Sequence, residues 1–196
     1  SIACNYDGRA RTLRGCTGNM KLVLTAGEVP YWDCTFTGVY TGTTESAAIS
    51  GTPFLTTPAI YSAASAITIA DGTNTMYACH KTLEIDPGNA VAPFVCLSAL
   101  QGVKYFARNA ATPKCTFTAH RFVSNDATTQ YDAEADAAFR NGTQLTLTIA
   151  STAVCSGKLE SLVMTDDAGW LAWEGVIDLR HAAAESEFAI TIGTAG

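Results

Sequence analysis

Apolar and polar residues alternate along most of this chain. In "NMKLVLTAGEVPYWDCTFTGVYT", Met20, Leu22 and Leu24 alternate with Lys21, Val23 and Thr25; past a turn near Gly27, Trp32, Cys34 and Phe36 alternate with Asp33, Thr35 and Thr37. A period of two sends successive side chains to opposite faces, so the segment predicts a hairpin with one dry and one polar face. Gly38 on its second arm marks a bulge or the close approach of another backbone. A second pair is expected in "SAITIADGTNTMYACHKTLEID", turning at 71–74, with Ile67 and Ile69 inward on one arm and Leu83 and Ile85 inward on the other. Pro87 and Gly88 suit the centre of a tight turn that ends the strand.

Further strands are expected in "VCLSALQGVKYFARN" and "KCTFTAHRFV", joined through a turn at Pro113. Others follow in "TQLTLTIAS", "KLESLVMTD", "WLAWEGVIDLRHA" and "EFAITIG", with a turn at 166–169 and a bulge at Gly175. One segment breaks the period. Tyr131, Ala135, Ala138 and Phe139 fall at helical spacing, Thr129 suits an N-cap, Asn141-Gly142 suits a stop, and Asp132, Glu134, Asp136 and Arg140 complement the helix dipole. The fold class expected is therefore mainly β: an antiparallel β-barrel or sandwich with one flanking α-helix at about 130–140. Residues 1–196 read as one domain.

Composition sharpens this picture. Only 15% of the 196 residues are charged and 47% are apolar, against roughly 25% charged in an average soluble domain. Sparse charge implies that other subunits cover part of the surface. The net charge of -6 argues against sequence-independent nucleic-acid binding, which needs clustered cations. Arg9, Arg11 and Arg14 form the one basic cluster, read as a solvated loop or an inter-subunit contact. No apolar run approaches the roughly 20 residues of a membrane span, and no membrane partner is expected. Seven cysteines, Cys4, Cys16, Cys34, Cys79, Cys96, Cys115 and Cys155, are an odd number without C-x-x-C spacing. They read as reduced thiols, several of them buried.

Candidate chemistry is thin. His80, His120 and His181 lie in or beside strands, no G-x-S-x-G elbow accompanies them, and Cys79 and His80 are adjacent, so they face opposite ways. The acidic run 132–136 belongs on a wet helix face, and Asp166 and Asp167 belong in a turn. No catalytic residue, metal site or cofactor is expected, and the chain does not read as an enzyme. Trp32, Trp170 and Trp173 suggest a sugar-stacking surface, but Trp170 and Trp173 point to opposite faces of a strand, and at least one of them belongs in the core.

The succession of motifs resembles a known family. "YDGRARTLRGCTGNMKLVLTAGEVPYWDCTFTGVYTG", then "LEIDPGNAVAP", "TPKCTFTAHRF", an acidic helix ending "RNGTQLTLTI", and "DDAGWLAWEGVIDLRHAAAESEFAITIG" resemble, in this order and over nearly the whole chain, tail tube (major tail) proteins of long-tailed bacteriophages. Members often carry a further N-terminal β portion, so the chain resembles the later part of such a protein.

The resemblance implies a virion structural protein, assembled in the bacterial host cytoplasm as hexameric rings that stack into the tail tube. Its partners would be copies of itself and other tail proteins, and double-stranded DNA would pass through without specific binding during ejection. Six copies of a chain of charge -6 carry about -36, a field that repels phosphate if it faces the bore. Glu84, Asp86, Glu160 and Glu174, on polar strand faces, are the candidate lumen acids. The Thr-, Ser-, Ala- and Gly-rich segment 41–57 is expected to be an extended loop contacting an adjacent ring or subunit, through Thr41, Thr43, Thr44, Glu45, Ser46, Ile49, Phe54 and Leu55. The alternatives are a carbohydrate-binding β-sandwich module and a tail accessory or adaptor protein.

Overall fold

The computed structural model describes residues 1–6, 9–45, 67–71, 75–76, 79–99, 102–120, 136–137, 139–149 and 152–179. They are mainly antiparallel strand with one short helical segment. The chain divides into two compact units: unit 1 is Ser1–Met20, Asp33–Pro58 and Gly88–Ala111, and unit 2 is Lys21–Trp32, Ala59–Pro87 and Thr112–Gly196.

Unit 1 takes β1 (Ile2–Tyr6), most of β2 (Arg9–Thr25) and β3 (Tyr31–Glu45), and the hairpin of β7 (Asn89–Val95) with β8 (Val103–Ala111). β2 and β3 form the expected first hairpin, turning at Gly27, whose φ of 80° is the left-handed conformation open to glycine. β1 lies antiparallel against the start of β2, with Cys4 opposite Arg11. Arg9, Arg11 and Arg14 therefore sit on a strand and not in the loop expected from their glycine-rich surroundings, because β1 supplies a hydrogen-bonding edge that no local signal announces.

Unit 2 contains β4 (Ile67–Ala70), β5 (Thr75–Met76), β6 (Cys79–Asp86), β9 (Lys114–His120), β10 (Gln144–Ile149), β11 (Thr152–Asp167) and β12 (Trp170–Asp178). With the end of β2 their order is β2-β6-β9-β12-β11-β10-β4-β5. The order has two ends, so the sheet is not a closed barrel, and that half of the barrel-or-sandwich expectation is corrected. The second expected hairpin is also corrected. β4 pairs with the two-residue β5, whereas β6 leaves to lie between β2 and β9, where Leu83 and Ile85 find partners.

One face of this sheet lines one core. Ile69, Leu83, Ile85, Leu145, Leu147, Ile177 and Leu179 are at most 1% exposed, packed with Cys115, Phe117, Ala119, Cys155, Leu159 and Trp173. Each fully buried aliphatic side chain of this kind contributes roughly 1.5–3 kcal/mol. The inward assignments of Ile69, Leu83 and Ile85 hold, and Trp173 is the tryptophan that meets the expectation of at least one in the core; Trp170, on the other face, is 70% exposed. β11 serves two neighbours, β10 along its first half and β12 along its second. Its register shifts between Leu159 and Ser161. The extra residue moves the inward positions from Cys155, Gly157 and Leu159 to Leu162, a break in alternation that bends a strand serving two parts of a core.

The bulge expected at Gly175 is thus on the facing strand. Gly175 keeps regular pairing with Leu162 and Phe117, and its missing side chain makes room for the Phe117 ring, which a Cβ would overlap. The 166–169 turn is a two-residue hairpin with Ala168 at φ 55° and Gly169 at φ 88°, and Asp166 accepts the Gly169 N–H at 3.0 Å.

The described part of the expected helix is helical at 136, 137 and 139–141. It stops where Gly142 adopts φ 58°, and Arg140 pairs with Asp136 one turn back. Thr129, Tyr131, Asp132, Glu134, Ala135 and Ala138, and the strand "EFAITIG", lie outside the described residues. Cys115 and Cys155 are buried free thiols, Cys4 and Cys34 are exposed, and burial pushes Cys155 up to about 12.

Candidate assembly surface

Unit 1 is built from long strands that alternate as strands should, yet no described residue in it is buried. Phe36 and Tyr40 on β3, Phe94 and Val95 on β7, and Tyr105 on β8 are 42–69% exposed, and Leu97, at the tip of the β7–β8 hairpin, is fully so. The dry face expected for the first hairpin is therefore dry only at its tip, where Leu24 is 6% exposed. Further along, Met20 and Phe36 meet solvent.

The backbone that presents these side chains is well tied. Gly18 lies against the Thr35 carbonyl and the Phe36 ring, and Gly38 against Cys16 and Leu13, so the close approach expected at Gly38 is present. Thr17 donates to the Phe106 carbonyl at 2.8 Å, and Asn89 donates to the Gly18 carbonyl at 3.2 Å, holding the two hairpins together. Phe94 and Tyr105 stack with centroids 4.9 Å apart and planes within 3°. Between the hairpins lies an open cavity of about 360 Å³ whose lining includes Arg14, Val39, Tyr40, Thr41, Val103 and Lys104.

The residues of the expected contact loop divide. Thr41, Thr43, Thr44 and Glu45 continue β3 as exposed strand; Thr41 donates to the Thr12 carbonyl at 3.1 Å and Thr43 bonds the Tyr40 hydroxyl at 2.5 Å. Ser46, Ile49, Phe54 and Leu55 lie outside the described residues.

The four candidate lumen acids belong to unit 2. Glu84 and Glu174 share the solvent face of its sheet with Thr82, Thr116 and Thr118, and line or neighbour a shallow groove of about 260 Å³. Asp86 alternates with Glu84 on β6. Lys21 neutralises Glu84 at 3.1 Å and Lys114 neutralises Glu160 at 2.7 Å, which leaves Glu174 as the exposed acid with no described ion pair.

Two histidine environments were not legible in the sequence. On the solvent face Lys81 grips both Asp167 carboxylate oxygens at 2.6 and 2.7 Å, and His120 Nε2 lies 2.7 Å from Oδ2. The hydrogen bonds from Lys81, then His120, hold Asp167 below the usual carboxylate range. His80 points the other way. A register shift between His80 and Thr82 turns it inward, edge-on to Phe117 at 6.0 Å, with neither ring nitrogen hydrogen-bonded among the described residues. Burial lowers it to about 4. His181 lies outside the described residues, and no cluster of three or more His, Cys, Asp or Glu among the described residues is placed to hold a metal.

No protein-family model matches the chain, and no curated protein matches it.

Proposed function

We propose that this chain is a structural subunit of a bacteriophage tail tube, which self-assembles into stacked hexameric rings that form a conduit for DNA ejection. The observation that carries the self-assembly is unit 1: five strands, no buried described residue, and seven large apolar side chains open to water. Strands whose described residues bury nothing do not by themselves offset the conformational entropy of their ordering, and large apolar side chains left exposed in this number mark an interface. β3 adds a 15-residue strand paired only with β2 among the described strands, and such an edge is a template for a neighbouring chain.

The six-fold ring, the stack and the DNA conduit rest on the resemblance in the order of motifs. The paired charges and the threonines on the solvent face of unit 2 agree with a surface that passes DNA without holding it. Negative-stain electron microscopy of the purified chain over a range of concentrations tests the reading. Rings or hollow tubes of uniform width are expected, and a monomer at every concentration would refute it.

Trp170 favours a second reading. It is 70% exposed and stands opposite Asp167 on the polar face of unit 2, as a sugar-stacking residue would. Trp173, however, is in the core, so Trp170 and Trp173 do not form a shared platform. Retention on a glycan array by a chain that forms no large assemblies would establish the carbohydrate-binding module. A tail accessory or adaptor protein would instead form a single ring without stacking.

A further inference from the structure

The net charge of -6 conceals a segregation. Unit 1 holds five basic residues, Arg9, Arg11, Arg14, Lys104 and Arg108, against three acidic ones, Asp7, Asp33 and Glu45, a balance of +2. The remaining seven basic and fifteen acidic residues belong to unit 2, a balance of -8. The ion pairs follow the same division. Lys21–Glu84, Lys81–Asp167, Lys114–Glu160 and Arg140–Asp136 all lie in unit 2. None of the five cations of unit 1 makes an ion pair among the described residues.

Two of these cations, Arg14 and Lys104, line the 360 Å³ cavity between the hairpins, beside Tyr40 and Thr41 and against the apolar side chains of Val39 and Val103. A concave site with two cations, hydroxyl groups and apolar walls suits carboxylates, because the walls displace water and strengthen the attraction that remains. We infer that this cavity receives acidic side chains from unit 2 of a second copy of the chain. The inference rests on the self-assembly reading and adds the chemistry of the contact. Like copies of charge -6 repel when their similar faces meet. They attract when a +2 unit meets a -8 unit, and such a contact joins different surfaces of the two copies, the head-to-tail arrangement that generates rings and filaments. Nucleic acid is the lesser fit, since every copy would bring a -8 unit to the phosphates with its +2 unit.

The test is sedimentation velocity of the full chain across a range of sodium chloride from 25 mM to 1 M, with the Arg14→Glu/Lys104→Glu double variant beside it. Wild type is expected to assemble at low salt and to lose assembly as salt screens the contact. The double variant should need at least about tenfold more protein to assemble. Lys158→Glu, a reversal on the exposed surface of unit 2, should assemble as wild type. The far-ultraviolet circular dichroism of the full chain, dominated by the strands of both units, shows that each variant is folded. If the double variant is folded and assembles as wild type does, the cavity is not the contact, and the tube reading stands. If wild type is monomeric at every salt and concentration, both readings fall. Salt-sensitive binding of a duplex oligonucleotide by a chain that does not self-associate would overturn the inference in favour of a nucleic-acid site.

Discussion

Acid should destabilise unit 2 through His80 before its carboxylates matter. The imidazole ordinarily titrates at 6.5 and in the fold at about 4, because its nitrogens are out of solvent, unpartnered among the described residues, and set against the edge of Phe117. Between these values the unfolded chain binds a proton that the folded one refuses. Stability therefore rises with pH across the window, is complete above 6.5, and is lost as pH falls towards 4. At about 1.4 kcal/mol for each pH step, the loss over the window is about 3 kcal/mol, or about 10 °C in Tm for a chain of this size. The assay is urea unfolding of wild type and His80→Leu at pH 7 and pH 4.5, followed by tryptophan fluorescence. Groups such as Asp167 titrate alike in both proteins and cancel in the comparison. At pH 7 the variant should lie within about 1 kcal/mol of wild type; at pH 4.5 it should be the more stable by about 2 kcal/mol. Parallel pH profiles for the two proteins would refute the buried, neutral His80.

Gly175→Ala should lower stability by about 1–3 kcal/mol, since its Cβ would overlap the buried Phe117 ring; an unchanged urea midpoint would show that the ring has room to move. Ala168→Gly should raise stability by about 0.5–1 kcal/mol, because Ala168 occupies φ 55° in the hairpin turn, and calorimetry showing a lower Tm would contradict the strain. Phe94→Ser with Tyr105→Ser removes the exposed stacked pair of unit 1. It should suppress assembly in light scattering while leaving the unfolding of unit 2 unchanged, and assembly at the wild-type concentration would exclude the pair from the interface.

Where a strand buries one face against its own chain without interruption, the sequence determined the structure. Leu83 and Ile85, Leu145 and Leu147, and the turns at Gly27, Gly88 and Gly169 follow from alternation and backbone permissiveness, which are local properties. The helix stop at Asn141-Gly142 is local in the same way.

Tertiary structure decided what alternation cannot carry. A single extra residue at Lys81 turned His80 into the core, and another near Glu160 reversed the parity of β11, because a bulge forms only when the facing strand and a bending core require it. Pairing was equally non-local: β6 left β5 for β2 and β9, β1 drew the arginines into a strand, and the Lys81–Asp167–His120 cluster joined three strands distant in sequence. The division into a basic unit without a described core and an acidic unit with one was invisible in a net charge of -6. Charge and apolar surface are sums over the chain until folding sorts them into places, and the sorting depends on contacts between residues far apart along it.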